Sequence, residues 1–263
     1  MPAAYAHYRF GQDVLSQLHP SQQRTLSACR ELFDIGLHGP DLFFYHNPLG
    51  KSRVSRLGHR MHSLPAKDFF LPSLSLLPYL AHPEEGRAYL YGFLCHFALD
   101  ASCHPYVEEA VGEIGLTHLE IESEFDRQLM IHDGRNPLTH FPAGHIHPSR
   151  RNAEIISAFF PSRSPRELLT CLRSMRICNR LLIAPHLPKR ALIHTALALS
   201  GNTKSLHGLL ISRHAVPAAR ESNRQLLCCY RKALPLARFL IQSCQEGDVC
   251  QEQLADCLRR SFN

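Results

Sequence analysis

The chain has 263 residues, a formal net charge of +6 and 44% hydrophobic residues, which suits a folded protein with a sizeable core and excludes a disordered or fibrous one. Its ten cysteines include no C-x-x-C pair, so neither a disulfide framework nor a thiolate zinc cluster is supported. Eighteen histidines against no tryptophan is the unusual feature, because imidazole is the commonest metal ligand and titrates nearest neutral pH.

The opening residues, Met1-Pro2-Ala3-Ala4-Tyr5-Ala6-His7-Tyr8-Arg9, lack the apolar stretch of a signal peptide. The longest apolar run, Phe69 to Ala81, is cut by Pro72 and Pro78 and is too short to span a bilayer. A cytoplasmic protein without a transmembrane segment is expected. Tyr5, Tyr8 and Phe10 read as the packing face of a first helix. Ser21 to Leu37 has a period near that of a helix at Leu26, Cys29, Leu32, Phe33 and Gly36, and Gly39-Pro40 stops it. Asp41 then sits at a helix-to-loop break, ahead of the apolar run Leu42-Phe43-Phe44-Tyr45. His59 and His62 come after Gly58, three apart on one helix face.

Pro83-Glu84-Glu85 opens a helix that is expected to run to about Ser102, with acids in the first turn where the macrodipole favours them. Pro105 and Gly115 punctuate the stretch beyond it, and Leu116 to His132 is the next helix, ended by Asp133-Gly134. The loop over 134–148 holds His140, His145 and His147, which read as solvated. Helical segments are expected over 151–159, 165–183, 189–200, 218–243 and 248–261. Strand-like alternation is scarce and there is no internal repeat, so the class is all-α. A single domain over 1–263 is expected, with the metal-site helices in 1–134 and an accessory helical half in 150–263. The only candidate seam is 135–150.

Charge is uneven. Residues 100–134 hold nine Asp or Glu and one Arg, whereas 148–190 hold nine Lys or Arg and two Glu. A basic surface beside an acidic, metal-binding pocket would draw a phosphate-bearing partner.

The chemistry gathers in the first half. His96-x-x-x-Asp100 and His118-x-x-x-Glu122 each place two ligand-type side chains four apart on one helical face. Two such pairs on neighbouring helices are how helical bundles build metal sites in their cores. His104, Asp41 and His62 extend the set. Phe93, Leu94, Phe97, Ala98 and Leu99 flank His96 and Asp100, and a carboxylate buried among them needs a cation or hydrogen bonds. Zinc accepts this mix of imidazole and carboxylate.

These segments resemble the zinc-dependent phospholipase C family, which shares an all-α, tri-zinc superfamily with the single-strand nucleases. The resemblance is carried by Pro2 through His7 with Phe10-Gly11, by Gly39-Pro40-Asp41, and by Leu57-Gly58 through Met61-His62. It continues with Gly92 through His96 and Asp100, His104-Pro105-Tyr106, and His118 through Glu122 and Asp126. It implies two or three zinc ions per chain. One would take Asp41, His62, His96 and Asp100, and a second His104, His118 and Glu122. Asp100 would bridge to a third, held by His7 and the N-terminal amine, which is that of Pro2 once Met1 is removed. His59 is the rival of His62, otherwise expected to line the pocket or simply to be exposed. Asp126 is expected to orient His118, or to be a solvated helix acid.

The activity the resemblance implies is metal-assisted hydrolysis of a phosphodiester, with activated water attacking phosphorus in line and Asp41 orienting or deprotonating it. A phospholipid head group at a membrane surface is one expected substrate. The choline cage of well-known members is not evident, because Ala3-Ala4-Tyr5 and Leu42 stand where they carry an acid and an aromatic, although Phe43, Phe44 and Tyr45 offer part of one. Three rival readings stand. A nuclease or nucleotide phosphodiesterase would use the same site. His132-Asp133 is the dipeptide of HD phosphohydrolases, and a non-catalytic helical protein would use zinc as a staple. Seven further histidines, His19, His38, His46, His186, His194, His207 and His214, have no constellation around them.

Overall fold

The computed structural model describes residues 4–48, 50, 52–199, 208–244 and 248–262, and every regular element among them is helical. In chain order these are α1 (Ala4–Gln17), α2 (Pro20–Ala28), α3 (Arg30–Gly36), α4 (Arg53–Ser63), α5 (Lys67–Leu76) and α6 (Pro83–Ile114). They continue as α7 (His118–His132), α8 (Arg150–Ser157), α9 (Pro165–Leu182), α10 (Leu187–Leu199), α11 (Ala219–Ser243) and α12 (Asp248–Cys257). Two 3₁₀ segments, Gly39–His46 and Leu77–Tyr79, come after α3 and α5.

Helix α6 is the axis of the molecule. Pro83 occupies its first turn, where a missing N–H costs nothing, and Gly115 closes it at φ 69°, a region only glycine enters freely. It runs well beyond the expected end at Ser102. Pro105 forfeits one hydrogen bond, to Ala101, but Val107 and Ala110 beyond it are buried, so packing carries the helix through the proline. The residues around the ligand positions, Phe93, Leu94, Phe97 and Leu99, are all buried. Helices α3 and α11 are its chief neighbours, and α11 also packs on α1 and α7. The apolar core therefore runs unbroken from α1 to Phe262, through both halves of the sequence.

Two other boundaries differ from expectation. The segment over Ser21–Leu37 is two helices, broken where Cys29 leaves helical geometry at φ −110° and ψ 34°. Helix α7 starts at His118 rather than Leu116, because Thr117 caps it. The Thr117 hydroxyl accepts from the Glu120 N–H at 3.3 Å, and the Thr117 N–H donates to Glu120 Oε2 at 2.8 Å. Helix α5 forms over a run whose prolines read as breaks, with Pro72 inside it.

The loop over 134–148 is not simply solvated. His145 stacks on Tyr8 of α1 at 4.0 Å, and its Nε2 lies 2.7 Å from Nε2 of the buried His38. His140 meets Tyr5 edge-on at 5.2 Å. Burial and neighbouring cations push the His145 pKa down to about 3, and burial with His145 beside it holds His38 low. Both rings are therefore neutral, one donating to the lone pair of the other. His38 and His145 thus have the constellation that sequence did not reveal.

Helices α3 and α6 cross in close contact. A Cβ on Gly92 would strike the Phe33 carbonyl oxygen and lie 3.0 Å from the Gly36 Cα. Backbone cannot yield as a side chain can. Gly92→Ala is expected to cost about 1–3 kcal/mol of stability, seen as a lower thermal midpoint. An unchanged midpoint would contradict this crossing.

Candidate metal centre

Five elements converge on the centre around Asp100. Helix α6 brings His96, Asp100 and His104 as an i, i+4, i+8 stripe, α7 brings His118 and Glu122, and α1 brings His7. The 3₁₀ turn after α3 brings Asp41, and α4 brings His62. Glycines allow the approach. Gly39 takes φ +44° and a Cβ there would run into the His96 ring. Gly58 lets α4 lie on the Asp41 turn, since its Cβ would meet Phe44 and the Pro40 carbonyl at 3.0 Å. His62, one turn beyond Gly58, shares that inward face. His59, a single residue on, is exposed and packs its ring on Phe44 at 4.6 Å.

Among the described residues the donor atoms form three groups. Within each, ligand-type atoms lie within 4.8 Å of one another: His7, His96 and Asp100; Asp41, His62 and His96; His104, His118 and Glu122. Asp100 Oδ1 is 3.2 Å from His7 Nε2 and 3.6 Å from His104 Nε2, while its Oδ2 is 2.9 Å from His96 Nε2 and 3.9 Å from His62 Nε2. His62 Nε2 lies 3.2 Å from Asp41 Oδ1. Glu122 Oε1 is 3.2 Å from His118 Nε2 and 3.6 Å from His104 Nε2. Pro2, the remaining expected ligand, lies outside the described residues.

Zinc fits this donor set on two observations. Ligand atoms on a tetrahedral zinc with bonds of about 2.0–2.1 Å stand about 3.3 Å apart, close to the 3.2 Å separations of His7–Asp100, His62–Asp41 and His118–Glu122. The second is the orientation of the rings. His96 Nδ1 donates to the Leu37 carbonyl at 3.2 Å and His62 Nδ1 to the Gly58 carbonyl at 2.8 Å, which leaves both Nε2 lone pairs facing inward. His96 Nε2 is buried and makes no hydrogen bond despite its nearness to Asp100. With Nδ1 donating to the Leu37 carbonyl, a neutral His96 turns its Nε2 lone pair to the Asp100 carboxylate. Burial, which lowers the His96 pKa, favours that neutral form, and the arrangement calls for a cation between them.

The electrostatics agree. Burial alone would raise the pKa of Asp100, but His96, His104 and His7 hold it well below the usual carboxylate range. Burial likewise opposes ionisation of Asp41 and Glu122. Hydrogen bonds from His62 to the first, and from His104 and His118 to the second, keep both low. Burial disfavours charge on His7 and His62, yet Asp100 beside the first and Asp41 beside the second raise their pKa values. A proton on these rings and a metal ion are alternative ways of meeting the same carboxylates.

Supporting residues differ from expectation. Asp126 does not reach His118: its carboxylate accepts the Tyr5 N–H at 3.1 Å and the Ala6 N–H at 2.8 Å, capping α1 just before His7. Burial raises its pKa to about 7. His118 is oriented instead by Glu108, whose Oε1 lies 3.3 Å from His118 Nδ1. Glu108 stands four residues after His104 on α6, a spacing that becomes readable once the helix is carried past Pro105. His132-Asp133 is a surface pair, with His132 exposed and Asp133 taken up by Arg9 at 2.7 Å and the Tyr5 hydroxyl at 2.9 Å. Phe44 stacks on His62 at 5.5 Å, Phe43 is buried against Phe160, and the Tyr45 hydroxyl accepts from Asn179 at 3.1 Å. Phe43 is thus core. Phe262, unremarked in the sequence, is 1% exposed and sets its ring 5.7 Å from His62 and 5.9 Å from His96.

The centre opens at Asp41 and His118, its most exposed side chains at 19% and 33%. An apolar cleft of about 450 Å³ is lined by Leu119, the residue after His118, by Tyr45 and Asp126, and by Leu138, Leu181 and Arg190; none of the grouped ligands lines it. A larger cavity of about 610 Å³ lies further along α7, between α1 and α11, and likewise touches none of the grouped ligands.

Residues 6–170 match the family described as zinc dependent phospholipase C. No curated protein and no solved structure gives a match. Glu108→Gln is expected to weaken zinc binding at the His104, His118 and Glu122 group by about 10–100-fold, measured by chelator competition, and to spare the groups around Asp100. An unaltered affinity would remove Glu108 from the centre.

Proposed function

The chain belongs to the zinc-dependent phospholipase C family, and on that footing we propose that it hydrolyses a phosphodiester whose ester partner is apolar, a phospholipid being the fitting class. The observation that carries this reading is the conjunction of three histidine–carboxylate groups around Asp100, among the described residues, with an apolar cleft lined by Leu119, the residue after His118. Zinc bound by these groups would supply Lewis acidity, easing the deprotonation of water and offsetting charge that builds on the phosphoryl oxygens.

The remaining tasks fall to the chain. Asp41, held ionised by His62, is a hydrogen-bond acceptor at the open edge of the centre, where it orients the attacking water and takes its proton. The water oxygen bonds to phosphorus as the P–O bond to the leaving alkoxide breaks, and the alkoxide gains a proton from solvent. His96 and His62 are locked by backbone carbonyls and so hold their donor atoms fixed while charge develops. Leu119, Leu138, Leu181 and Ile211 in the cleft exclude water from the apolar part of the substrate. Arg190 lines the same cleft with no carboxylate partner among the described residues, and suits a phosphate or another anionic substrate group.

A nuclease reading draws on the basic segment 148–190. The cleft offers Tyr45 as its one large aromatic ring among the described residues, and successive bases need a series of stacking platforms. The lipid reading is therefore the stronger.

Two measurements test it. Hydrolysis of a short-chain phospholipid is expected to cease on chelation and to return with zinc. Asp41→Asn is expected to lower kcat by about a hundredfold or more. Turnover indifferent to chelation, or preference for a single-stranded oligonucleotide over the phospholipid, would refute the proposal.

A further inference from the structure

Helix α10 has no buried residue, and its leucines Leu187, Leu192 and Leu199 are 64%, 70% and 84% exposed. At the end of α9, one turn apart, Ile177 and Leu181 are 58% and 60% exposed. Exposed apolar side chains scattered singly need no explanation, but Leu192 and Leu199, seven apart on one face of α10, add to Ile177 and Leu181 on α9 an apolar exposure that water disfavours. The same elements build the apolar cleft: Leu181 lines it from α9, and Arg190 and Leu197 line it from the other face of α10. Leu192 and Leu199 thus lie on the outer side of the cleft's α10 wall, while the exposed Leu181 lines the cleft itself.

Charge identifies the partner. From Glu167 to Glu221 the sequence contains no intervening acid, while it carries eight Lys or Arg. Lys189 is exposed at the start of α10, and Arg180 precedes Leu181 on α9. A face with exposed leucines beside Lys189 and Arg180, neither of which has an ion pair among the described residues, complements one kind of surface above others, an anionic phospholipid bilayer. Leucines enter the acyl boundary while lysine and arginine meet the phosphates. A nucleic acid would satisfy the charge but leave the leucines wet, and α10 carries no Phe or Tyr for a base to stack on. A second copy of the chain would bring like charge against like charge.

We propose that α10 and the adjoining end of α9 dock the protein on anionic membranes, with the helix lying in the interface and the cleft mouth turned to the lipid. Docking itself does not depend on hydrolysis. Its orientation rests on the reading of the cleft as the substrate site.

The test is sedimentation of the full chain, under chelation, with phosphatidylcholine vesicles that contain phosphatidylserine and with vesicles that lack it. Binding is expected to need phosphatidylserine and to weaken with salt. The double variant Leu192→Glu and Leu199→Glu is expected to bind at least about tenfold more weakly. It should hydrolyse a water-soluble phosphodiester as the unaltered chain does, since neither leucine lines the cleft. Tyr79→Glu, which alters an equally exposed side chain on another segment, is expected to bind normally. Absence of vesicle binding, or equal binding by the double variant, would overturn the proposal. Tighter binding of single-stranded RNA, lost in the same variant, would overturn it in favour of nucleic acid. Vesicle binding by a chain that hydrolyses no phosphodiester would keep the docking face and refute the hydrolase reading instead.

Discussion

One buried carboxylate sets the terms for the rest of this molecule. Asp100 is 4% exposed on the central helix, with histidine nitrogens from α1, α4 and α6 within 3.9 Å of its oxygens. A lone carboxylate in such apolar surroundings would be strongly disfavoured. Its presence is explained by positive charge brought to the same point, and the scaffold is arranged to bring it. The close approach of α3 to α6 through Gly36 and Gly92 places the Asp41 turn over His96. The Asp126 carboxylate fastens the start of α1 so that His7 faces inward.

Structure and chemistry therefore constrain each other. Thr117 caps α7 at the residue before His118, so the helix start and the ligand position are one decision. Backbone carbonyls of Leu37 and Gly58 hold the rings of His96 and His62 in the tautomer that presents Nε2 to the centre. The C-terminal segment joins in: Ala66 and Lys67 donate to the carbonyls of Arg260 and Leu258, which seats Phe262 against His62 and His96. An accessory half in the sequence thus supplies part of the wall of the centre.

Much of this was legible in the residues. Helical periodicity and the scarcity of alternating patterns point to an all-α fold, and ligand-type pairs four apart on α6 and α7 point to a shared centre. The less legible features have specific causes. Pro105 reads as a stop because sequence shows the lost hydrogen bond and not the packing that outweighs it, and this hides Glu108 as the partner of His118. The break at Cys29 has no glycine or proline to announce it. Asp126 is spaced to serve α7, yet its partners are the amides of Tyr5 and Ala6, more than a hundred residues away. The His38–His145 pair likewise joins distant segments, and no local pattern encodes such a contact.

Asp100, with histidine nitrogens from three helices within 3.9 Å, is proposed to be shared between metal ions. Zinc content of the full chain and of Asp100→Asn, measured by plasma mass spectrometry after equilibration with zinc, tests this sharing. The unaltered chain is predicted to hold more than one zinc, and Asp100→Asn to keep only the ion at His104, His118 and Glu122. A chain that takes up no zinc, or a variant that holds as much as its parent, would contradict it.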